Sequence, residues 1–270
     1  MLALTLLALA AVAAVRAAMP KPGPGELVLV IQPILSEEQT RKDYQPLAEF
    51  IERTTGRRCL IGTLPNFIAY WEVIRRNSGY DLVFDAAHFT DYRIRKFGFT
   101  VLAKIPGTVS YSLVVPKGHP VLDPMELTGK TIATLGPPSV GAVRLSAMFP
   151  NPTRQPAIVQ VDNAEEGMEL VVAGRVHAAI LPTPLVSQQM ARSGGLAVVM
   201  TTEPMPHWAL SAAPHLDKGL REKLRAALLN ADKTEDGKRM LQGIGFPKFD
   251  PATPDLYAGQ GNVLRGYWGY

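Results

Sequence analysis

Short apolar runs of strand length alternate along the chain with segments whose apolar positions have a helical period. The runs occupy residues 27–31, 59–64, 81–84, 101–105, 111–115, 131–135, 158–161, 178–181 and 197–200. Strands that alternate with helices are typical of an α/β fold with mostly parallel sheets. The pattern therefore predicts an α/β protein.

Three stripes of apolar side chains recur at helical spacing, and each is interpreted as the buried face of a helix. They consist of Leu47, Phe50, Ile51 and Thr54, of Phe67, Tyr70, Trp71 and Ile74, and of Leu216, Leu220, Leu224 and Leu228. Pro46 is tolerable in the first turn of the first helix, and Gly56 and Gly79 act as stop signals. Residues 234–244 predict a further short helix.

The N-terminal sequence predicts an export signal, a signal peptide over residues 1–18. Residues 2–15 are apolar but too few to cross a bilayer, which needs about 20 residues. Arg16 ends the run, and Ala17 and Ala18 supply a small-residue cleavage zone. No Lys or Arg precedes the run, which indicates a truncated start or an unusual leader. Without a lipobox cysteine, the exported protein is expected to be soluble in the periplasm.

Composition excludes several classes of function. The 28 basic and 24 acidic residues give a net charge of +4, spread through the chain, which is too weak for a nucleic-acid binder and mildly favours an anionic ligand. Cys59 is the only cysteine, so no internal disulfide can form. The chain lacks the Gly-x-Ser-x-Gly, His-Glu-x-x-His and Walker motifs, so no catalytic residue is assigned and an enzyme is the weakest interpretation.

Four segments, taken in order, resemble the phosphonate, phosphite and phosphate class of periplasmic solute-binding proteins that serve ABC transporters. They are Asp43–Ala48 (DYQPLA) with Thr55-Gly56, Gly79–Phe84 (GYDLVF), Tyr111–Lys117 (YSLVVPK) with Pro124–Lys130 (PMELTGK), and Thr234–Phe249. The resemblance covers about residues 26–257. It implies a receptor that delivers a small, anionic ligand, an oxyanion or a phosphorylated or phosphonate compound, to a transporter permease.

The resemblance also implies a type II periplasmic-binding-protein fold, in which two α/β lobes close on a ligand by hinge bending. The crossings between the lobes are expected near residues 107–112 and 201–208. Lobe 1 would then comprise residues 26–107 plus 205–270, and lobe 2 residues 112–200. We expect a monomer without a cofactor.

The residues expected around the ligand lie beside a family contact or a crossing segment. They are Tyr44, Asp85, His88, Tyr111, Ser139, Val140, Gly141, Ala142, His207 and Trp208. The loop at residues 136–142 follows a strand and opens a helix, so its free N–H groups could hold an anion. The family has a Ser-Thr-Ser-Gly cluster there, of which this chain keeps one hydroxyl, Ser139.

Other positions also depart from the family pattern. Asp85 stands where the family has an aromatic or neutral polar contact, and an ionised carboxylate there would repel a dianion. Pro184 and the pair His207-Trp208 fall where phosphonate binders carry acidic residues. We therefore expect 2-aminoethylphosphonate to bind weakly, in the millimolar range or not at all.

The eroded Ser-Thr-Ser-Gly cluster leaves an alternative open. The chain could be a repurposed sensory or accessory protein of the same fold, or a metal binder in which Tyr44, Asp85, His88 and His207 supply N and O ligands.

Overall fold

The structure, a computed structural model, describes residues 19–270, so the predicted leader lies outside the described residues. The helices are α1 (Glu37–Thr55), α2 (Phe67–Arg76), α3 (Ala87–Phe97), α4 (Val140–Met148), α5 (Ala164–Val172), α6 (Thr183–Ser193), α7 (Lys218–Leu229), α8 (Glu235–Ile244) and α9 (Pro254–Tyr257). Within residues 19–270, no helix has the length and apolar character needed to span a membrane.

Residues 19–270 also contain twelve strands. They are β1 (Leu27–Ile31), β2 (Cys59–Gly62), β3 (Leu82–Asp85), β4 (Thr100–Lys104), β5 (Thr108–Val109), β6 (Tyr111–Pro116), β7 (Thr131–Thr134), β8 (Ala157–Gln160), β9 (Ala178–Pro182), β10 (Leu196–Thr201), β11 (Met205–Pro206) and β12 (Ala209–Ala212). Short 3₁₀ turns cover Pro124–Leu127, Ala231–Lys233 and Gln260–Gly266.

Ten of these strands form two five-stranded sheets, and we call each of these sheets with its helices a lobe. The sheet of lobe 1 has the order β2-β1-β3-β12-β4, and the sheet of lobe 2 has the order β10-β6-β9-β7-β8. The chain leaves lobe 1 after β4 and returns to it at β12. The residue limits given to the lobes in the sequence analysis stay a prediction.

The two connections between the lobes pair with each other. β5 and β11 form a two-stranded antiparallel sheet in which Val109 lies opposite Met205 and Thr108 opposite Pro206. Each connection is therefore held by backbone contact with the other.

The α/β class is confirmed, but the expectation of mostly parallel sheets is wrong. β1 pairs in parallel with β2 and β3, whereas the returning strand β12 is antiparallel to both β3 and β4. In lobe 2, β7 is parallel to β8 and β9, while β6 is antiparallel to β9 and β10. β12 was not predicted, because its sequence ALSA has neither the β-branched residues nor the alternation that indicate a strand.

Helix α1 begins earlier than the apolar stripe indicated. Ser36 caps it by accepting a hydrogen bond from the N–H of Gln39, and two glutamates favour the positive end of the helix dipole. Pro46 therefore lies inside the helix and not in its first turn. Gly243 of α8 packs against the Pro46 ring, where a Cβ would lie only 2.6 Å from Cγ.

The C-terminal segment, residues 258–270, folds back onto α2 and α3 of lobe 1. The N–H of Gly261 donates to the Asp91 carboxylate at 2.7 Å, and the indole N–H of the buried Trp71 donates to the Trp268 carbonyl at 2.8 Å. Leu264 is fully buried. The segment thus completes the core of lobe 1.

Candidate ligand-binding cleft

A cavity of about 140 Å³, which we call the inner chamber, lies where the two lobes meet beside the paired connections. Rings surround much of it, from Tyr44, Tyr111, His207, Trp208 and Phe246. Aliphatic and proline side chains complete the apolar wall, from Ile34, Leu35, Val109, Pro182, Pro184 and Leu185. The remaining lining residues are Gln32 and Thr40.

Both lobes and the hinge build the inner chamber. Gln32 follows the end of β1, and Tyr44 projects from α1 of lobe 1, where its ring packs edge-on against Phe84. Tyr111 begins β6 and Pro182 ends β9 in lobe 2. In α/β proteins, ligands bind in crevices at the ends of strands and between domains. The inner chamber has this location.

Gln32 is a buried polar residue of the inner chamber whose side chain is only partly hydrogen-bonded. Its side-chain oxygen accepts a hydrogen bond from the N–H of Ala86 at 3.0 Å, which leaves the amide nitrogen as the free donor. This nitrogen is buried and has no partner among the described residues, while the residue as a whole is 1% exposed. Buried N–H₂ groups in proteins are normally hydrogen-bonded, so this nitrogen is available to donate to a ligand.

The other polar groups of the inner chamber are uncharged at neutral pH. Burial raises the pKa of the Tyr44 and Tyr111 phenols, and Asp43 adds to the effect at Tyr44. Burial, with a contribution from Lys104, lowers the pKa of His207 to about 4. Because Nδ1 of His207 accepts a hydrogen bond from the N–H of Trp208 at 2.8 Å, Nε2 carries the proton.

A larger cavity of about 730 Å³, the outer cleft, adjoins the inner chamber through the shared residues Leu35 and Leu185. It lies between α1 of lobe 1 and α5 and α6 of lobe 2. Its charged lining residues are Asp43, Glu165, Glu169 and Arg192. The outer cleft is therefore net negative.

Hydrogen bonds join the lobes across the cleft. The N–H of Ala164 donates to the Ile34 carbonyl at 2.7 Å, and the N–H of Ser36 donates to the Glu165 carboxylate at 3.2 Å. These contacts lie beside the outer cleft. The structure therefore shows the lobes in contact, a closed arrangement.

Asp85 does not reach the ligand cleft, in contrast to the expectation from the sequence. It is fully buried, and both its oxygens accept hydrogen bonds from the guanidinium of Arg93, at 2.5 and 2.6 Å. Tyr70 and Thr90 donate to the same carboxylate at 2.6 and 3.1 Å. Burial opposes the charge of Arg93, but the Asp85 carboxylate outweighs it and raises the pKa of the guanidinium. Asp85 is part of the core of lobe 1.

His88 and the predicted anion loop meet each other outside the inner chamber. Nε2 of the fully buried His88 lies 3.1 Å from the Pro138 carbonyl oxygen, which requires the proton on Nε2. Burial is the main reason why the pKa of His88 falls to about 4. The loop at residues 136–142 of lobe 2 thus contacts α3 of lobe 1.

The loop itself forms a capped helix start. The Ser139 hydroxyl accepts a hydrogen bond from the N–H of Ala142 at 3.3 Å and is itself buried. A Cβ at Gly141 would lie 3.3 Å from the Tyr111 ring, so Tyr111 contacts both this helix turn and the inner chamber. Ser139, Val140, Gly141 and Ala142 do not themselves line the inner chamber.

The structure therefore brings together four of the expected site residues, Tyr44, Tyr111, His207 and Trp208, in the inner chamber. Asp85, His88 and the 139–142 turn lie elsewhere. The sequence analysis did not name Gln32 and Phe246 as site residues. Gln32 is a single polar residue after an apolar run, and Phe246 has the pattern of a core residue. Between residues 19 and 270, no group of three His, Cys, Asp or Glu side chains could hold a metal, so the metal-binding alternative has no ligand set there.

Comparison with known proteins identifies the family. Residues 29–257 match the family described as ABC transporter, phosphonate, periplasmic substrate-binding protein. No protein with a curated description matches the sequence.

Solved structures share the fold at low sequence identity. PhnD1 from Prochlorococcus marinus in complex with methylphosphonate has a TM-score of 0.78 and 15% identity, covering 90% of this chain and 98% of its own. A binding protein component of an ABC phosphonate transporter from Pseudomonas aeruginosa has a TM-score of 0.72 and 13% identity, with 86% and 82% covered.

An ancestral arginine-binding protein bound to arginine has a TM-score of 0.60 and 16% identity, with 81% and 97% covered. These similarities confirm the predicted type II periplasmic-binding-protein fold. Since the family match extends over most of the sequence, this chain belongs to the phosphonate ABC transporter periplasmic substrate-binding protein family.

Proposed function

We propose that this protein is an exported receptor that captures a small molecule in the inner chamber and hands it to the permease of an ABC transporter. The observation that carries the proposal is the inner chamber itself, a cavity enclosed by both lobes next to the paired connections β5 and β11. Opening and closing at such a hinge would admit and retain a ligand. The family is one of substrate-binding transport proteins and not of enzymes.

We also propose that the protein is located in the periplasm and is a monomer. The apolar run at residues 2–15 and the following Ala17-Ala18 favour export into the periplasm with removal of the leader. We propose that the protein acts there as a monomer, since one chain supplies both walls of the inner chamber. N-terminal sequencing of protein recovered from the periplasm should begin after the leader, and an intact Met1 would contradict export.

Native mass spectrometry of protein purified from its own periplasm tests the receptor function. A receptor should carry a bound small molecule that is lost on unfolding. Filling the inner chamber by Leu185→Trp should abolish this extra mass, whereas Met190→Trp, on the exposed side of the same helix, should keep it. Unchanged ligand mass in Leu185→Trp would contradict binding in the inner chamber.

A permease partner is tested by transport. Deletion of the gene should abolish uptake of the carried molecule, and expression of the unaltered chain should restore it. Restoration by the Leu185→Trp variant would show that uptake does not depend on the inner chamber.

A further inference from the structure

We propose that the inner chamber binds an uncharged organic solute with a ring-sized apolar body and one hydrogen-bond acceptor, which meets the Gln32 amide. This inference rests on the proposed receptor function and specifies its ligand. It departs from the anionic ligand that the family resemblance implied.

The size of the inner chamber sets the size of the apolar body. Its volume of about 140 Å³ is close to that of apolar protein cavities that accept benzene. Tyr44, Tyr111 and Trp208 line this space, and aromatic side chains pack well against a ring or a compact aliphatic body. A ligand of about six to ten heavy atoms fits this space.

Within the described residues, the wall of the inner chamber has no charged side chain, which favours an uncharged ligand. No Lys, Arg, Asp or Glu is among the residues that line the inner chamber in the described chain. Lys104 contributes to the lowered pKa of His207, but its ammonium donates to the Ile105 carbonyl and lies 3.9 Å from Asp250. A phosphonate dianion would be desolvated here without a cationic partner, which is costly.

The charge of the outer cleft also favours an uncharged ligand over a dianion. Asp43, Glu165 and Glu169 face it against a single guanidinium, that of Arg192. A dianion that approaches the inner chamber through the outer cleft meets net negative charge, whereas an uncharged solute does not.

The Gln32 amide sets the polar group of the ligand. Its oxygen accepts a hydrogen bond from the N–H of Ala86, so the side-chain group left without a partner in the described chain is the N–H₂ group, which donates. It is buried without a partner among residues 19–270. A carbonyl, ether or amide oxygen on the ligand would satisfy it, whereas an ammonium group would not.

Benzamide and phenylphosphonate are matched probes, because they share the ring and differ in the head group. Isothermal titration should give benzamide a dissociation constant on the order of 0.1 mM, from the typical binding energy per heavy atom of small ligands. Phenylphosphonate, methylphosphonate and 2-aminoethylphosphonate should bind at least about tenfold more weakly. Tighter binding of any of the three phosphonates would overturn the inference and leave the receptor function standing.

Two substitutions locate the probe. Gln32→Glu keeps the oxygen that accepts from Ala86 but removes the free N–H₂ group, so benzamide should bind about tenfold or more weakly. The control Gln242→Glu makes the same chemical change at an exposed position of α8 and should leave binding unchanged. Thermal unfolding of each variant shows whether it is folded. Unchanged affinity in folded Gln32→Glu would overturn the role of Gln32.

Leu185→Trp gives a second readout that does not touch Gln32. It should abolish benzamide binding, with Met190→Trp as the control on the same helix. Failure of benzamide to bind the unaltered protein would overturn the inference. If the protein purified from the periplasm carries an anionic molecule, the inference of an uncharged ligand is overturned, but the receptor function is supported. If the protein carries no small molecule, the inference and the receptor function are both contradicted.

Discussion

Replacing Asp85 by Asn is expected to destabilise the protein strongly and to leave anion affinity unchanged. The substitution removes the charge that balances the fully buried Arg93 guanidinium, which then retains only neutral partners such as the Ser211 hydroxyl at 3.1 Å. Removing one partner of a buried ion pair costs about 3–5 kcal/mol. Since domains unfold with a free energy of about 5–15 kcal/mol, this is a large fraction of the total.

Urea unfolding followed by tryptophan fluorescence measures the loss. Asp232→Asn makes the same change at an exposed position and should alter the free energy of unfolding by less than about 0.5 kcal/mol. The double variant Asp85→Leu with Arg93→Met removes both charges and should recover part of the stability lost in the single variant. If Asp85→Asn unfolds within about 1 kcal/mol of the unaltered protein, or gains affinity for methylphosphonate, Asp85 is a cleft residue and the structural interpretation is refuted.

Burial lowers the pKa of His88 from 6.5 to about 4, so its contribution to stability is present above about pH 6.5 and is lost as the pH falls towards 4. The free energy of unfolding, measured in urea, should therefore fall between about pH 7 and pH 5 by about 2 kcal/mol less in His88→Gln than in the unaltered protein. An unchanged pH dependence of the free energy of unfolding would contradict this. A methyl group at Gly237 would overlap the Ala231 backbone, so Gly237→Ala should cost at least about 2 kcal/mol by the same measurement, whereas Gly266→Ala, with open space around it, should be neutral. Deleting residues 258–270 removes a fully buried leucine and uncovers α2, so the free energy of unfolding should fall by at least about 2 kcal/mol; an unchanged midpoint would show that the segment does not contribute.

Much of the fold follows from local sequence patterns. β1 has the predicted limits, because LVLVI is buried on both faces and reads as an unbroken apolar run. β12 and the short strands β5 and β11 were not predicted, since their pairing depends on long-range contacts and not on their own residues. Strand direction was also misjudged, because alternation with helices does not show where the chain returns to a sheet.

The site was harder to predict because charge and burial compete. From the sequence alone, the Asp85 carboxylate at the end of β3 resembles a ligand contact. The structure shows instead that it binds the guanidinium of Arg93, eight residues later on α3. The periodicity of α3 does not reveal this, since an arginine within a helix usually points to solvent. The sequence analysis named four of the five aromatic and histidine residues that line the inner chamber, because those four lie beside the connections or in the α1 motif, which belong to the fold itself.

The pairing of β5 with β11 limits how the lobes can move. Since Val109 and Met205 lie opposite each other in one small antiparallel sheet, the two connections must bend together, which leaves mainly one degree of freedom for opening. One distance across the outer cleft is then enough to follow it. Cys59 is buried, so labels on cysteines introduced at the exposed positions Gln45 and Gln188 would report that coordinate with little background.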